Sequence, residues 1–350
     1  MRHTNKAIAT FLGIAACANI AFAGNPQRAG EAGASELLIN PYAASSGWGD
    51  VSVANVEGVE SMFMNIAGLA NTKKTEVIFS NTQWLVGAGI NINNFGFAQK
   101  VGNNGVLGMS FMAFDYGEWE VTTAAQPEGT GGTISPSTLN INLGYSQKFT
   151  ASIRGGVNVK LYSSQISNLS TFGLAFDAGV QYWTGDEDKW KFGITLRNIG
   201  PSIDYGGDGQ DIALPVPTFG VAYSQSFQGR SAQFELPTQL RLGASYDFLL
   251  PEEQKITVAA QFTSNSFQKD NYHIGLQYSM KKYLSVRAGY VMEDNRVDDF
   301  QTSAMNGFSA GLSFDVPLTE SGTVFGLSYA YRSTRSYFSG VHTIGARISL

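Results

Sequence analysis

After Thr75, apolar and polar residues alternate with a period of two along most of the chain, which is the period of a β-strand. One segment places Phe172, Leu174, Phe176, Ala178, Val180 and Tyr182 on one face, opposite Gly173, Ala175, Asp177, Gly179 and Gln181. The pattern recurs at 240–248, 272–280, 284–292 and 344–350. The segments are about ten residues long and recur about every 20 residues, whereas the strands of soluble sandwiches recur every 8 to 12.

The length and the two faces of these segments indicate a membrane barrel. A strand of about ten residues, tilted by about 40°, crosses the hydrocarbon region of a bilayer. Because lipid offers no hydrogen-bond partners, only a closed barrel leaves no backbone group unpaired there. Tyr182-Trp183 and Trp190 stand at strand ends, where an interfacial aromatic girdle would lie. A soluble all-β protein with an aromatic core is the alternative interpretation.

The pattern predicts fourteen strands and therefore an all-β, antiparallel transmembrane β-barrel. The predicted strands are 75–82, 89–100, 105–116, 137–149, 151–162, 171–183, 190–198, 237–248, 255–264, 271–280, 283–292, 307–315, 323–332 and 342–350. Short turns alternate with longer loops at 117–136, 199–236 and 293–306, and an even strand count leaves both termini on the periplasmic side. Segment 218–227 also has a strand pattern, but counting it would break the parity, so we assign it to the large outside loop.

The first 23 residues predict a cleaved secretory signal peptide. Arg2 and Lys6 precede an apolar stretch that ends at the cleavage-type sequence Ala21-Phe22-Ala23. A lipoprotein signal with Cys17 as the acylated residue is the alternative. Cleavage would remove the only cysteine and leave 21 basic and 28 acidic residues, a net charge of −7.

Composition agrees with this interpretation. Charged residues make up 15% of the chain, against about a quarter in soluble globular proteins, while 43% is hydrophobic. The acidic balance argues against a nucleic-acid partner, which requires a basic face. No apolar run in the mature chain reaches 18 residues, so the sequence predicts no transmembrane helix.

A barrel of fourteen strands is too wide for its own side chains to fill. Residues 24–74, which lack a long strand pattern, are therefore predicted to form an N-terminal plug or hatch, and residues 75–350 the barrel. Inward positions carry charged or titratable candidates that would line the lumen: Arg154, Lys160, Asp177, Lys191, Arg197, Arg241, Asp247, His273, Arg287, Arg332 and Arg347. They would form either an anion-attracting polar pathway or a salt-bridged network that closes the lumen.

Three stretches of the N-terminal region carry a family resemblance: 33–43 (GASELLINPYA), 47–54 (GWGDVSVA) and 59–70 (VESMFMNIAGLA). They resemble the N-terminal signature of the PorV/PorQ family, fourteen-stranded outer-membrane barrels related to the FadL fatty-acid channels. Residues 197–201, 234–243 and 286–290 are similar to the family as well. The resemblance implies a component of the type IX secretion system, which receives the C-terminal signal domain of cargo from a translocon barrel and passes it to a cell-surface sortase complex.

The chain departs from the family at one plug motif. Asn65-Ile66-Ala67-Gly68 stands where the family usually has Asn-Pro-Ala-Gly. Without the proline ring the backbone there is less restricted, so the conformation of the hatch need not be the one that the family motif implies.

The sequence argues against an enzyme. The mature chain has two histidines, His273 and His342, and no G-x-S-x-G, P-loop or H-E-x-x-H pattern. We interpret His273 as a neutral, hydrogen-bonded inward residue. Acidic clusters at 186–188, 208–211 and 293–299 are interpreted as solvated loops rather than Ca²⁺ sites. No cofactor or metal is expected.

The leading hypothesis is a protein-binding barrel of the outer membrane of a Gram-negative bacterium. Its partners would be outer-membrane lipid, the translocon barrel and cargo signal domains. The long outside loops would hold cargo through apolar residues, with Phe219, Tyr223 and Phe234 as candidates. A FadL-like channel for hydrophobic small molecules is the alternative, and a purely structural barrel is the third hypothesis.

Overall fold

The computed structural model describes residues 25–216, 223–281, 283–294, 302–305, 307–319, 322–334 and 338–350. The predicted signal peptide, with Cys17, lies outside the described residues, as does Phe219. Strand segments dominate the described chain.

Fourteen antiparallel strands close into one barrel, and the two remaining strand pairs lie outside its wall. The barrel strands are β1 (Thr75–Trp84), β2 (Ile90–Val101), β3 (Gly105–Asp115), β6 (Ser137–Lys148), β7 (Ile153–Ile166), β8 (Leu169–Thr184), β9 (Trp190–Ile199), β12 (Gln239–Leu250), β13 (Gln254–Asn265), β14 (Asn271–Met280), β15 (Leu284–Glu293), β16 (Gly307–Pro317), β17 (Val324–Arg332) and β18 (Val341–Ser349). The outlying pairs are β4 (Trp119–Glu120) with β5 (Thr133–Ile134), and β10 (Ile212–Val216) with β11 (Tyr223–Phe227).

The predicted fold class is confirmed. The barrel closes where β1 pairs with β18, for example Thr82 with Thr343, and the Leu350 amide donates to the Thr75 carbonyl at 2.8 Å. Every predicted strand end lies within two residues of the observed one except the end of β7, which continues four residues further, to Ile166. Closure pairs the backbone of both edge strands, as a lipid environment requires.

The two rims of the barrel differ. One, the turn rim, holds six turns of three to six residues and both ends of the barrel chain. The other, the loop rim, holds the three long connections, but also short ones such as the two-residue turn Ser167-Asn168 between β7 and β8. The predicted alternation of short and long connections was therefore too strict, because a tight hairpin needs only two residues at either rim.

The alternation of faces follows the strand period along the barrel wall. Phe172, Phe176 and Val180 are 62%, 48% and 44% exposed on the outer face, while the intervening residues of β8 are buried inside. A lipid-facing surface needs no second sheet to cover it.

The segment 25–74, which we call the plug, is built of short helices of one or two turns. These are Pro26–Arg28, Ser35–Leu38, Ala43–Ser46, Ser52–Ala54, Gly58–Glu60, Ser61–Met64 and Ile66–Asn71, and two further turns in the connections are Asp186–Asp188 and Asp208–Gln210. Among the described residues, no helix has both the length and the apolar character to cross a membrane.

The plug provides the main apolar core inside the barrel. Val53, Val59, Met64 and Leu69 are fully buried there, packed with strand residues such as Ile78. The core therefore lies between the plug and the inner wall, while the outer wall keeps its apolar side chains exposed.

Candidate functional site: the plugged lumen and the loop rim

A belt of inward glycines surrounds the plug. A Cβ atom added to any of ten strand glycines would lie 2.1 to 3.7 Å from a plug atom; these are Gly96, Gly108, Gly144, Gly179, Gly193, Gly243, Gly275, Gly289, Gly311 and Gly345. Several are direct cross-strand partners, including Gly108 with Gly144 and Gly275 with Gly289. Ten of the fourteen strands thus contact the plug at positions without a side chain, and we call this level the glycine waist.

At three points of the waist, plug backbone lies directly against strand backbone. A Cβ on Gly193 would lie 2.4 Å from the Val53 carbonyl oxygen, and one on Gly289 would lie 2.5 Å from the Trp48 carbonyl group. Gly47 in the plug and Gly311 in β16 approach each other in the same way. Close backbone approach of this kind is the reason for glycine inside a strand.

Asn65 connects the plug to the barrel wall. Its side-chain amide donates to the carbonyl oxygens of Val53 at 3.0 Å and of Val180 in β8 at 3.1 Å. Its amide oxygen accepts from the Ala67 amide at 3.2 Å and so caps the helix Ile66–Asn71. A Cβ at Gly179 would lie 2.1 Å from that oxygen, so this glycine leaves room for the asparagine.

The missing proline changes little in this geometry. Ile66 is the first residue of the helix, a position where proline is well tolerated, and Asn65 before it is extended (φ −155°, ψ 107°), as a residue before proline prefers. Gly68 is needed because a Cβ there would lie 2.1 Å from the Val56 carbonyl oxygen. The family motif and this chain are therefore compatible with one plug conformation.

Between the waist and the loop rim, Lys160 and Asp177 form a buried ion pair. The Lys160 ammonium lies 2.7 Å from the Asp177 carboxylate and donates to the Asn198 side-chain oxygen at 2.7 Å. The other Asp177 oxygen accepts from the Asn198 amide at 2.8 Å. Both charges are nearly inaccessible to solvent, and they are both paired and hydrogen-bonded as buried charges must be.

Two further guanidinium groups in this half stack on one plug ring. Arg197 lies 4.0 Å and Arg241 6.0 Å from the centre of the Phe63 ring. Arg197 donates to the Leu37 carbonyl at 3.3 Å, so it also holds the plug. Among the described residues, neither guanidinium has a carboxylate within ion-pair distance.

Asp50 and His273 join the plug to the opposite wall. Asp50 accepts from Arg332 and, at 2.6 Å, from Asn40. Burial raises the pKa of Asp50, but the guanidiniums of Arg332 and Arg241 and the Asn40 amide outweigh burial and hold it below its ordinary value. The His273 Nδ1 lies 2.7 Å from the Gly49 carbonyl oxygen and must donate to it, and Nε2 forms a hydrogen bond with the Thr263 hydroxyl at 3.1 Å.

Between the waist and the turn rim, Asp247 bridges Lys191 at 2.9 Å and Lys255 at 3.3 Å. Arg154 lies over the Trp183 ring at 3.8 Å. Arg287 donates to Gln277 at 2.9 Å and to Ser313 at 2.6 Å.

The plug also contributes a partly buried carboxyl group to the turn-rim half. Burial raises the pKa of Glu60, and the nearby guanidiniums of Arg287 and Arg347 oppose that rise only in part. Sequence patterns did not identify Asp50 or Glu60 as site residues, because both lie outside any strand period. The sequence did contain one indication of their role: both are acidic residues in the predicted plug, and the barrel wall around the plug carries inward-facing arginines.

The structure thus places all eleven predicted lumen residues inside the barrel but divides them between two polar compartments. One compartment lies on each side of the waist. Lys160, Asp177 and Asp247 are in ion pairs, His273 is hydrogen-bonded at both ring nitrogens, and Arg154, Arg197, Arg241 and Arg287 lack a carboxylate partner among the described residues. In the described part of the chain, no group of three or more His, Cys, Asp or Glu is placed to hold a metal.

At the loop rim, Phe234 is not an exposed residue, contrary to the prediction for the cargo-binding loop. It packs against the cluster of Leu37, Tyr162 and Ile203, and its ring fills the space that Gly33 leaves open. Ile203 and Phe234 exchange backbone hydrogen bonds at 3.0 and 2.9 Å. The sequence did not indicate that Phe234 is packed, because irregular segments have no periodicity from which burial can be inferred.

Tyr223, by contrast, lies on an exposed hairpin. Strands β10 and β11 pair only with each other, with Val216 opposite Tyr223 and Ile212 opposite Phe227. Ile212, Leu214, Tyr223 and Phe227 are each 43% to 56% exposed. Segment 218–227 is therefore outside the barrel wall, as predicted, for its described part, Tyr223–Phe227.

Two family models match the chain. Residues 23–228 match the family described as type IX secretion system protein PorV. Residues 126–347 match the family described as type IX secretion system membrane protein PorP/SprF. Each match covers more than half of the chain. No curated protein sequence matches it at a significant level.

Several solved structures share the fold at low sequence identity. The toluene transporter TodX of Pseudomonas putida superimposes with a TM-score of 0.57 at 14% identity, over 89% of this chain and 98% of TodX. The CymD monoaromatic hydrocarbon channel gives 0.54 at 14% identity, over 89% and 96%. A FadL homologue of Pseudomonas aeruginosa gives 0.51 at 11% identity, over 87% and 96%. These similarities establish the barrel fold alone.

Proposed function

The chain belongs to the type IX secretion system membrane protein family covered by the PorV and PorP/SprF descriptions, and from this premise we propose a non-enzymatic barrel that binds cargo. In this proposal the protein lies in the outer membrane, with the loop rim outside the cell. It binds the C-terminal signal domain of secreted cargo and passes the cargo from the translocon to the cell-surface attachment complex.

The observation that carries the proposal is the hairpin β10–β11. Its two strands place Ile212, Leu214 and Val216 on the same face as Tyr223 and Phe227. The register pairs Ile212 with Phe227, Leu214 with Gln225 and Val216 with Tyr223. A two-stranded hairpin with an uncovered apolar face is marginal in water. It can gain cover, and backbone pairing at its free edges, from a partner that adds a strand.

The base of the same loop is fixed to the barrel and the plug. Gly33 donates to the Glu235 carbonyl at 3.1 Å, and Arg28 forms an ion pair with the Glu235 side chain at 2.7 Å. A rigid base under an exposed hairpin supports a binding role, because binding loops are commonly positioned by a rigid scaffold.

The glycine waist favours protein binding over the channel alternative. Plug backbone lies against strand backbone at Gly193, Gly289 and Gly311. A solute could pass only if this packing opened, and packed interiors resist small deformations. A cargo domain held at the loop rim needs no passage through the lumen.

The test is co-purification from membranes of cells that secrete type IX cargo. The double variant Leu214→Glu with Phe227→Glu places two charges on the apolar face, and Ser226→Glu, on the opposite face of the same hairpin, is the matched control. Burying an unpaired charge costs more than the about 1–3 kcal/mol of an unpaired polar group. Because about 1.4 kcal/mol is a factor of ten, cargo binding should weaken at least about tenfold. We expect cargo recovery to fall with the double variant and to persist with the control. Equal recovery with both would refute the hairpin as the binding surface.

A further inference from the structure

A cavity of about 280 Å³ lies between the plug and the loop-rim half of the lumen. One wall of the cavity is apolar and consists of Leu38, Ile39, Trp84, Val291 and Val341. The polar side includes Asn40, Asp50, Gln239, Thr263, Arg241 and Arg332. The volume lies near the lower end of the range of small-molecule pockets, about 300–1,000 Å³.

Arg241 is the chemical centre of this cavity. Its side chain is only 4% exposed. Its Nε and Nη2 donate to the Gln239 side-chain oxygen at 3.1 and 2.7 Å, and Nη1 lies 3.7 Å from the Met64 sulfur. A guanidinium has five N–H donors, so these three contacts, one of them to a weak sulfur acceptor, leave donor capacity unused.

Among the described residues, no carboxylate lies within ion-pair distance of Arg241. Asp50 forms its ion pair with Arg332, and Asp177 forms its own with Lys160. His273 is hydrogen-bonded to Gly49 and Thr263 and brings no negative charge. A buried cation without a paired anion is costly, and one further negative charge would relieve that cost.

We propose that this cavity binds a carboxylate carried on a short apolar group. A carboxylate is a planar anion of single charge that matches a guanidinium through two parallel hydrogen bonds. One negative charge suffices, because the second arginine of the cavity already has Asp50. The apolar wall contacts the group that bears the carboxylate. The proposal is independent of cargo binding by the hairpin.

A small apolar carboxylic acid and the C-terminus of a peptide chain both carry such a carboxylate, so the experiment must distinguish these two sources. Binding to the purified full-length barrel in non-ionic detergent is measured by calorimetry with four probes: sodium hexanoate, hexanamide, a five-residue apolar peptide with a free C-terminal carboxylate, and the same peptide amidated. We expect hexanoate to bind at least tenfold more tightly than hexanamide. The peptide pair then decides the source, because only a site open to chain ends distinguishes the free from the amidated peptide.

Arg241→Met removes the guanidinium and keeps a chain of similar shape, and it should weaken hexanoate binding tenfold or more. Arg287→Met is the matched control, because Arg287 lines the separate cavity on the turn-rim side of the waist. Equal binding of hexanoate and hexanamide to the unsubstituted protein would overturn the proposal, as would unchanged hexanoate binding in Arg241→Met. If that variant does not fold, the comparison of the two probes on the unsubstituted protein decides alone.

Discussion

The glycine waist and the loop rim differ in how tightly the chain is packed. At the waist, ten strand positions lack side chains, and plug backbone approaches strand backbone closely. At the loop rim, the hairpin β10–β11 extends beyond the wall with its apolar face uncovered. The comparison indicates that the barrel is closed by tight packing in the middle and presents adaptable surface at one end. Variants at the two levels should therefore differ in what they change.

The largest effect is expected for a proline inside the plug helix. Ala67→Pro would remove the amide that donates to Asn65 and would push Ile66 out of its helical conformation. We expect the free energy of unfolding to fall by about 3 kcal/mol, measured by denaturant titration in detergent.

Ile66→Pro is the control for that variant, because the adjacent position begins the helix and restores the family motif. It should change the free energy of unfolding by less than about 1 kcal/mol. A loss as large as that of Ala67→Pro would show that the inferred compatibility of the motif is wrong.

The next effect concerns the waist itself. Gly289→Ala would place a methyl group 2.5 Å from the Trp48 backbone, which cannot move aside as a flexible side chain can. Overpacking of this kind costs about 1–3 kcal/mol, measured as a lower free energy of unfolding.

Gly345→Ala is the matched substitution at the same level. Its nearest neighbours would lie 3.7 Å away, which is an ordinary contact. We expect a change within about 0.5 kcal/mol. Equal losses in the two variants would mean that backbone contact with the plug does not determine the choice of glycine.

The sequence predicted the strands of the barrel wall far better than the contacts inside the lumen. Strand ends and the count of fourteen followed from a period of two, because every residue of a strand obeys the same alternation. That period also assigned Arg241 and His273 to the inner face. It gave no information on which residues meet across the lumen, so the pairing of Asp50 with Arg332 and of His273 with Gly49 was not predictable. In the long loop, which lacks a period, Phe234 was misassigned to the exposed surface.

Phe234 lies at the loop rim but packs against a buried cluster, so its substitution should have an intermediate effect. Its ring packs beside Tyr205 at 5.9 Å between centroids and fills the space at Gly33. Because the ring is only partly buried, Phe234→Ala should lower the free energy of unfolding by about 1–2 kcal/mol, less than the 3–5 of a fully buried phenylalanine. Protease cleavage within the loop should also become faster. Unchanged cleavage would mean that the ring is not needed and that the backbone bridge to Ile203 and the contacts of Glu235 hold the loop base.

The smallest effect on stability is expected at the hairpin. Leu214 is 46% exposed and its strand pairs only with β11, so Leu214→Glu removes little buried area. The free energy of unfolding should stay within about 0.5 kcal/mol of the unsubstituted value, even though cargo recovery falls. This separation is the sharpest test of the comparison between the two levels, because a residue that matters for packing would change both quantities together. A loss of stability comparable to that of Gly289→Ala would place the hairpin in the packed body of the protein and remove the reason for treating it as a binding surface.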